Sequence, residues 1–239
     1  MRPKYLIIVV SLESARSRRD AFAKDAPQDE SWRFFDASEV VDPLLRYDAR
    51  LARTIHGREL SKGELGCYSS HYRLWYNLCE DNQYAGYIIL EDDVLVDWEF
   101  LKKASYSNDI EADYVRLYYR RPVRSRERKR GIIDHSRSLI EIHGYAYGTQ
   151  GYIINKDGAR KFLELFQCVE RPIDDALDRV WHHGVPNLCL FPFPIMERIV
   201  PSDIEKGRSR ISKRSPINVK NITEKLRYQL SALRFRLDW

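Results

Sequence analysis

Tyr87-Ile88-Ile89-Leu90-Glu91-Asp92-Asp93 sets four apolar residues directly against three carboxylates. A short apolar run bounded by polar residues suits a buried strand. Adjacent carboxylates repel one another and are costly in a buried position without compensation. A divalent cation supplies that compensation. All-oxygen ligands suit Mn²⁺ or Mg²⁺, which keep several waters and engage substrate phosphates. If the extended conformation persists, period two places Glu91 and Asp93 on one side and Asp92 opposite. In open α/β sheets ligands bind beyond the carboxyl ends of strands, where this triplet falls. A metal there would hold a diphosphate and neutralise charge on a leaving group. That chemistry suits an activated sugar nucleotide, and equally a nuclease or a phosphatase. The plainer alternative is a solvated acidic turn ahead of a helix over Trp98–Ala104.

Working outward, the strongest helix signal lies just upstream. Ser61 is an N-cap with Glu64 three residues on, completing a capping box. Leu65, Tyr68, Tyr72, Trp75 and Leu78 or Cys79 then recur at intervals of three or four, to an end near Asp81-Asn82. Further strands are expected over residues 4–10, Trp32–Phe35, Tyr114–Tyr118 and Gly151–Ile154, and a last one at Leu188–Leu190 broken by Pro192 and Pro194. Helices are expected after Ser11–Arg19, over Ala159–Phe166, and over Asp174–His182 behind Pro172. The stretch from Asp36 to His56-Gly57 reads as irregular, and Arg120–Arg130 as an exposed loop. Strand and helix in alternation argue for an α/β layer fold.

A chain of 239 residues fits one domain with a small appendage. The boundary is expected near residue 200, giving a domain over 1–200 and a basic tail over 201–239. In that tail Leu226, Leu230, Leu233 and Leu237 share one helical face, with Arg227, Arg234 and Arg236 around it, a basic amphipathic helix. Tyr5–Val10 is too short to span a bilayer and no small-residue cleavage site follows, so the expected compartment is the cytoplasm. Cys67, Cys79, Cys168 and Cys189 are scattered without the close pairs of a zinc site and are read as reduced.

The net charge of +5 gathers in two clusters, Arg120–Arg130 and Lys206–Lys220. Candidate partners are nucleic acid, an acidic membrane surface, or an anionic glycan or nucleotide. No nucleic-acid reader motif is present and aromatics do not interleave with the arginines at 124–130, so nucleic acid is not expected. The basic segments fit attachment to an anionic inner membrane; the alternative is a solvated tail.

Other residues invite chemistry. His71 shares a helix face with Glu64 and Trp75, placed to touch substrate, to hold the acidic loop, or to serve packing alone. Cys67 reads as packing. Displacement at an anomeric carbon needs a base for the acceptor hydroxyl, and Asp174 or Asp175 can provide it, with Glu141 a competitor. Both aspartates also suit the first turn of a helix. Tyr147-Gly148-Thr149 permits close backbone approach, or marks a turn before a strand. Glycine spacing never forms a dinucleotide or P-loop fingerprint.

Taken together, four segments resemble glycosyltransferase family 25, the lipooligosaccharide-type transferases that include the collagen galactosyltransferases. Leu60-Ser61-Lys62-Gly63-Glu64-Leu65-Gly66-Cys67 with Ser70-His71 resembles its LSxGExGC…SH signature, and Ile89–Val94 its acidic metal motif. Gly148-Thr149 through Tyr152–Ile154 and Gly158-Ala159 resembles its GTxxY segment, and Pro172-Ile173-Asp174 its later PxD element. The resemblance implies a GT-A type fold, a Rossmann-like mixed central sheet flanked by helices. It also implies a UDP-sugar donor (galactose or glucose), Mn²⁺, inversion, and a lipid-linked or free oligosaccharide acceptor in lipopolysaccharide assembly. By position, Asp93 would ligate the metal, Glu91 would take the first place of the motif near metal water or ribose, and Asp92 would support. Ser11 would lie by the donor base, with Thr149 and Tyr152 on the donor side. Ser11-Leu12 departs from the family's Asn-Leu, Ser69 replaces an apolar residue, and the arginine-rich run is unusual; these leave donor preference open. The rival from another class is a nucleic-acid- or membrane-binding protein on a catalytically inactive transferase-like fold.

Overall fold

In the computed structural model of the chain, residues 3–29, 31–198 and 219–237 are described. In chain order the elements are β1 (Tyr5–Ser11), α1 (Arg16–Asp25), β2 (Trp32–Asp36), β3 (Arg46–Tyr47), α2 (Ala49–His56), α3 (Lys62–Glu80), β4 (Gly86–Glu91) and β5 (Val94–Val96). Next come α4 (Trp98–Tyr106), β6 (Tyr114–Arg116), β7 (Arg124–Arg130), β8 (Ser138–His143), β9 (Gly151–Asn155) and α5 (Lys156–Leu165). The last are β10 (Cys168–Val169), α6 (Ile173–Leu177), α7 (Val180–His183), β11 (Leu188–Phe191), β12 (Ile195–Glu197) and α8 (Val219–Leu237).

Period two in β1 explains the layering. Leu6, Ile8 and Val10 face a core built with α3 and α5, whereas Tyr5, Ile7 and Val9 face a second core built with α1 and α4. A strand buried on both faces reads as a continuous apolar run, as β1 and β4 do. The eight-stranded sheet has the order β2-β1-β4-β9-β6-β11-β8-β7. β2, β1 and β4 run parallel, β9 runs antiparallel to β4 and β6, and β11 pairs parallel to β6 and antiparallel to β8. This is the expected Rossmann-like, GT-A type arrangement. The chain leaves β1 for β2 on one side and reaches β4 on the other, so the crevice beyond their carboxyl ends is a topological switch point.

α3 forms as its cap predicts. Ser61 Oγ accepts from Glu64 N, and Glu64 Oε2 accepts from Ser61 N at 2.9 Å. Trp75 is fully buried against Tyr72, Phe162 and Phe166, and its ring N–H donates to Tyr152 Oη at 3.0 Å.

Several expectations need correcting. The stretch before His56-Gly57 is not irregular: it holds β3 and α2, the latter capped by Asp48 and stopped by Gly57 at φ 91°. Arg124–Arg130 is exposed but is a strand, because an edge needs pairing on one side only and tolerates charge. Its partner β8 buries Ile140 and Ile142. β6 ends at Arg116, short of Tyr118. The helix expected over Asp174–His182 breaks into α6 and α7, the second closed by Gly184 at φ 69°.

The Lys206–Lys220 cluster and the boundary near 200 lie outside the described residues, except that the backbone of Lys220 belongs to α8. α8 rests on the body through Tyr228, stacked on Tyr145 at 5.6 Å and edge-on to Trp181 at 4.9 Å. Ser231 lies 3.0 Å from His143 Nε2, and Phe235 is buried. No helix among the described residues is long and apolar enough to cross a membrane.

Candidate active site

The carboxyl ends of β1 and β4 and the start of β9 meet at one sheet edge. Register places Val10 opposite Glu91 and Leu90 opposite Gly151, and Glu91 N donates to Gln150 O at 2.9 Å. A pocket of about 320 Å³ opens there, with Ser11, His71, Glu91, Asp92, Asp93, Thr149 and Asp174 among its walls. The N-terminal half of α3 forms one side and the start of α6 another.

The three acids diverge. Asp92 turns back against β1, where Ser11 Oγ donates to its Oδ2 at 2.5 Å and Arg18 Nε stands 3.4 Å away. Ser11 is thereby committed: its hydroxyl serves Asp92, and its carbonyl accepts from Arg19 at 2.7 Å. Glu91 takes the Thr149 hydroxyl on Oε1, with His71 Nε2 3.9 Å from the same oxygen. Burial raises the Glu91 carboxyl, but His71 and Thr149 outweigh it and hold the acid below its usual range. Asp93 is the opposite case. Its buried Oδ1 has no hydrogen-bond partner. Burial, reinforced by the charges of Glu91, Asp92 and Glu197, pushes its carboxyl up to about 7.

This is the pattern a divalent ion would relieve. An orphaned carboxylate oxygen sits among three further acids, all hard oxygen donors, so the residues fit Mn²⁺ or Mg²⁺. A second donor set shares Glu91: the ligand atoms of Cys67, His71 and Glu91 lie within 4.8 Å of one another. Burial pushes the Cys67 thiol well above its ordinary range, so it stays protonated until something takes the proton.

His71 is itself positioned. Tyr152 Oη accepts the Trp75 N–H and lies 2.9 Å from His71 Nδ1. If the Tyr152 hydrogen goes to Nδ1, the imidazole proton sits on Nε2 and faces Glu91. Tyr152, expected on the donor side, is fully buried behind His71 and reaches the pocket only through it.

The two candidate bases separate as well. Asp174 is half-buried in the pocket wall, accepting from Asp175 N at 2.8 Å, and burial with the neighbouring Asp175 charge raises its carboxyl. Asp175 points away, toward Arg179 at 3.1 Å, Arg171 at 3.4 Å and His56 at 3.6 Å. Burial opposes its charge, but His56, Arg179 and Arg171 prevail and hold it low. Glu141, on β8 beside the edge strand, is occupied by Arg126 at 2.8 Å.

Loops around the pocket are tied down from beneath. Arg116, buried in β6, donates to Asp178 at 2.7 Å and to the Gly148 carbonyl at 3.0 Å, while Asp178 accepts Tyr147 N at 2.7 Å. That network holds Tyr147 and Gly148 at φ 56° and 92° and so delivers Thr149 to Glu91. On the other wall, Ser70 Oγ accepts from Ser38 N at 2.8 Å and Ser69 Oγ from Asp42 N at 3.0 Å. Gly66 brings α3 so close that a Cβ would stand 2.3 Å from Ser38 O. Ser69 is therefore a clamp on the loop after β2.

Arg18, Arg120 and Glu197 also line the pocket and were not singled out from sequence. Arg120 was visible only as part of a basic run. Glu197 carries no local signal: it arrives because β12 pairs antiparallel with β5, setting Glu197 opposite Val94.

Residues 4–177 match the profile of glycosyltransferase family 25 (LPS biosynthesis protein). A glycosyltransferase 25 family member of Anopheles gambiae is 32% identical over 145 residues, which is 58% of this chain and 23% of that protein. Procollagen galactosyltransferase 1 of Danio rerio is 34% identical over 127 residues, 51% of this chain and 21% of that protein. Procollagen galactosyltransferase 2 of Homo sapiens is 30% identical over 110 residues, 44% of this chain and 17% of that protein. The chain thus spans less than a quarter of the length of the curated relatives it matches. The acidic strand end, the capped helix and the glycine turn that build the pocket all fall inside the matched span, and the chain belongs to glycosyltransferase family 25.

Proposed function

We propose that the chain is a metal-dependent, inverting hexosyltransferase. It takes galactose or glucose from a UDP-sugar and adds it to a lipid-linked or free oligosaccharide acceptor in lipopolysaccharide or lipooligosaccharide assembly, at the cytoplasmic face of an anionic membrane. The observation that carries this reading is the unpartnered Asp93 oxygen among Glu91, Asp92 and Glu197 at the switch point of a family 25 fold.

Asp93 and Glu91 are the metal ligands in this proposal, and Mn²⁺ or Mg²⁺ supplies positive charge for the donor diphosphate and the departing nucleotide. The oxygen set is preferred over Cys67-His71-Glu91 for such hard ions, since the buried thiol holds its proton. Asp92 keeps the triplet in place through Ser11. Thr149 and the Nε2 side of His71 orient Glu91, and Tyr152 supports His71.

Asp174 accepts the proton of the acceptor hydroxyl as that oxygen attacks the anomeric carbon. The bond to the nucleotide diphosphate breaks on the opposite face, which inverts the configuration. A carboxyl raised toward neutrality suits this exchange better than one held low, so Asp174 is favoured over Asp175.

The test is a donor-hydrolysis screen over UDP- and GDP-sugars with and without Mn²⁺, followed by product NMR. Mn²⁺-dependent release of UDP by the parent chain, absent in a folded Asp93→Asn variant, is expected. Near-normal turnover in that variant overturns the metal assignment, and a retained anomeric configuration overturns the displacement.

A further inference from the structure

The leucine stripe of α8 is not what holds the helix to the protein. Taking Leu226, Leu230, Leu233 and Leu237 as one edge, successive residues turn by about 100°, so the four fall within about 60° of arc. Glu224, Tyr228, Ser231 and Phe235, which make the contacts to the body, lie about 130–190° away on the same wheel. The leucines accordingly remain 52%, 60%, 50% and 72% exposed, in chain order.

Charge is arranged about that stripe. Arg227 and Arg234 flank one side and Lys225 and Arg236 the other, each about 70–110° from its centre. All four cations are exposed. Glu224, the one acid among residues 223–237, faces inward, where it receives Trp181 Nε1 at 2.9 Å and pairs with Arg179 and His182. The outward face is therefore apolar along its centre, cationic on both margins, and free of acids among the described residues.

We propose that this face docks α8 in the plane of an anionic lipid surface, the leucines entering the acyl boundary and the four cations meeting lipid phosphates. Long basic side chains on both margins match a helix lying in a membrane interface. A second copy of the chain fits less well, because a two-fold contact would set one cationic margin against another. The proposal gives the membrane placement above a specific surface, yet it stands without the transfer reaction.

The test is co-sedimentation of the full chain with phosphatidylcholine vesicles, with and without phosphatidylglycerol. The parent chain should bind the anionic vesicles and be weakened at about 0.5 M salt, where screening is short-ranged. L230S/L233S should bind at least about tenfold more weakly. R227Q/R234Q should lose about fivefold per cation. Donor hydrolysis by L230S/L233S should match the parent, so failed docking and failed chemistry are told apart. No binding to anionic vesicles overturns the proposal. So does equal binding by both variants, equal binding with and without phosphatidylglycerol, or a parent dimer that L230S/L233S disperses while no vesicle is bound.

Discussion

α3 and α8 are both 19 residues long, and both carry an apolar stripe legible in the sequence. α3 spends its stripe on the core: Tyr68, Tyr72, Leu74, Trp75 and Leu78 are all buried, and its polar residues Glu64, Ser69, Ser70 and His71 are buried beside them. α8 buries Phe235 and leaves four leucines outside. Period alone says that a helix has an apolar face; it does not say what the face meets. The buried polar residues make the difference visible: on α3, Ser69 and Ser70 hold the loop after β2 and His71 stands between Tyr152 and Glu91, whereas the inward polar residues of α8 only fasten it down.

The contrast can be broken most severely at the strand end that α3 faces. Asp93→Asn should abolish transfer while leaving the melting temperature close to the parent; loss of the fold instead would make Asp93 structural. Next in size, Trp75→Ala should cost about 3–5 kcal/mol in denaturant titrations, since it empties a fully buried site and removes the donor to Tyr152.

The core beside α3 also sets a pH limit. Val185 N donates to His183 Nδ1 at 3.1 Å and Nε2 lies 3.1 Å from Leu177 O, so the neutral ring satisfies both neighbours. Burial, aided by nearby Arg116, lowers the His183 pKa to about 4. Because the unfolded ring takes its proton first, the stability that His183 contributes is full above about 6.5 and is lost as pH falls toward 4. A loss of roughly 3 kcal/mol over that window is expected from linkage, and His183→Gln should flatten it.

Gly66→Ala should cost about 1–3 kcal/mol by overpacking and raise the KM for donor, because the new methyl meets Ser38 backbone in the pocket wall. Smallest of all, Leu226→Ser on α8 should shift stability within about 0.5 kcal/mol. A larger change would mean that the stripe is packed in solution, and the contrast with α3 would fail.

What was legible followed from local patterns. β4 announces itself by an apolar run that stops at three acids, and α3 by its capping box and spacing. The site's remaining parts come from distance. Glu197 reaches Asp93 only through the β12–β5 pairing, and Arg116 looks like a misplaced charge in a strand until Asp178 and the Gly148 carbonyl are seen to receive it. α2 had signals in Asp48 and Gly57, but its eight residues are too few for an apolar period to stand out. β7 was missed because seven consecutive polar residues contradict strand periodicity, and only the apolar side of β8 makes the pairing worthwhile. Of the paired candidates Asp174 and Asp175, adjacency in the chain says nothing about direction; the short α6 turns one into the pocket and the other into an arginine cage.

The contact at Gly66 restricts how the pocket can be remodelled. With Ser38 touching α3 and its amide held by Ser70, residues 37–39 have no slack to accept an inserted residue without lifting off the helix. Under the proposed transfer, reshaping that wall to change donor choice is therefore a matter of exchanging the pocket-lining side chains Ala37 and Glu39 on a fixed frame, and libraries that vary loop length there should return mostly unfolded chains.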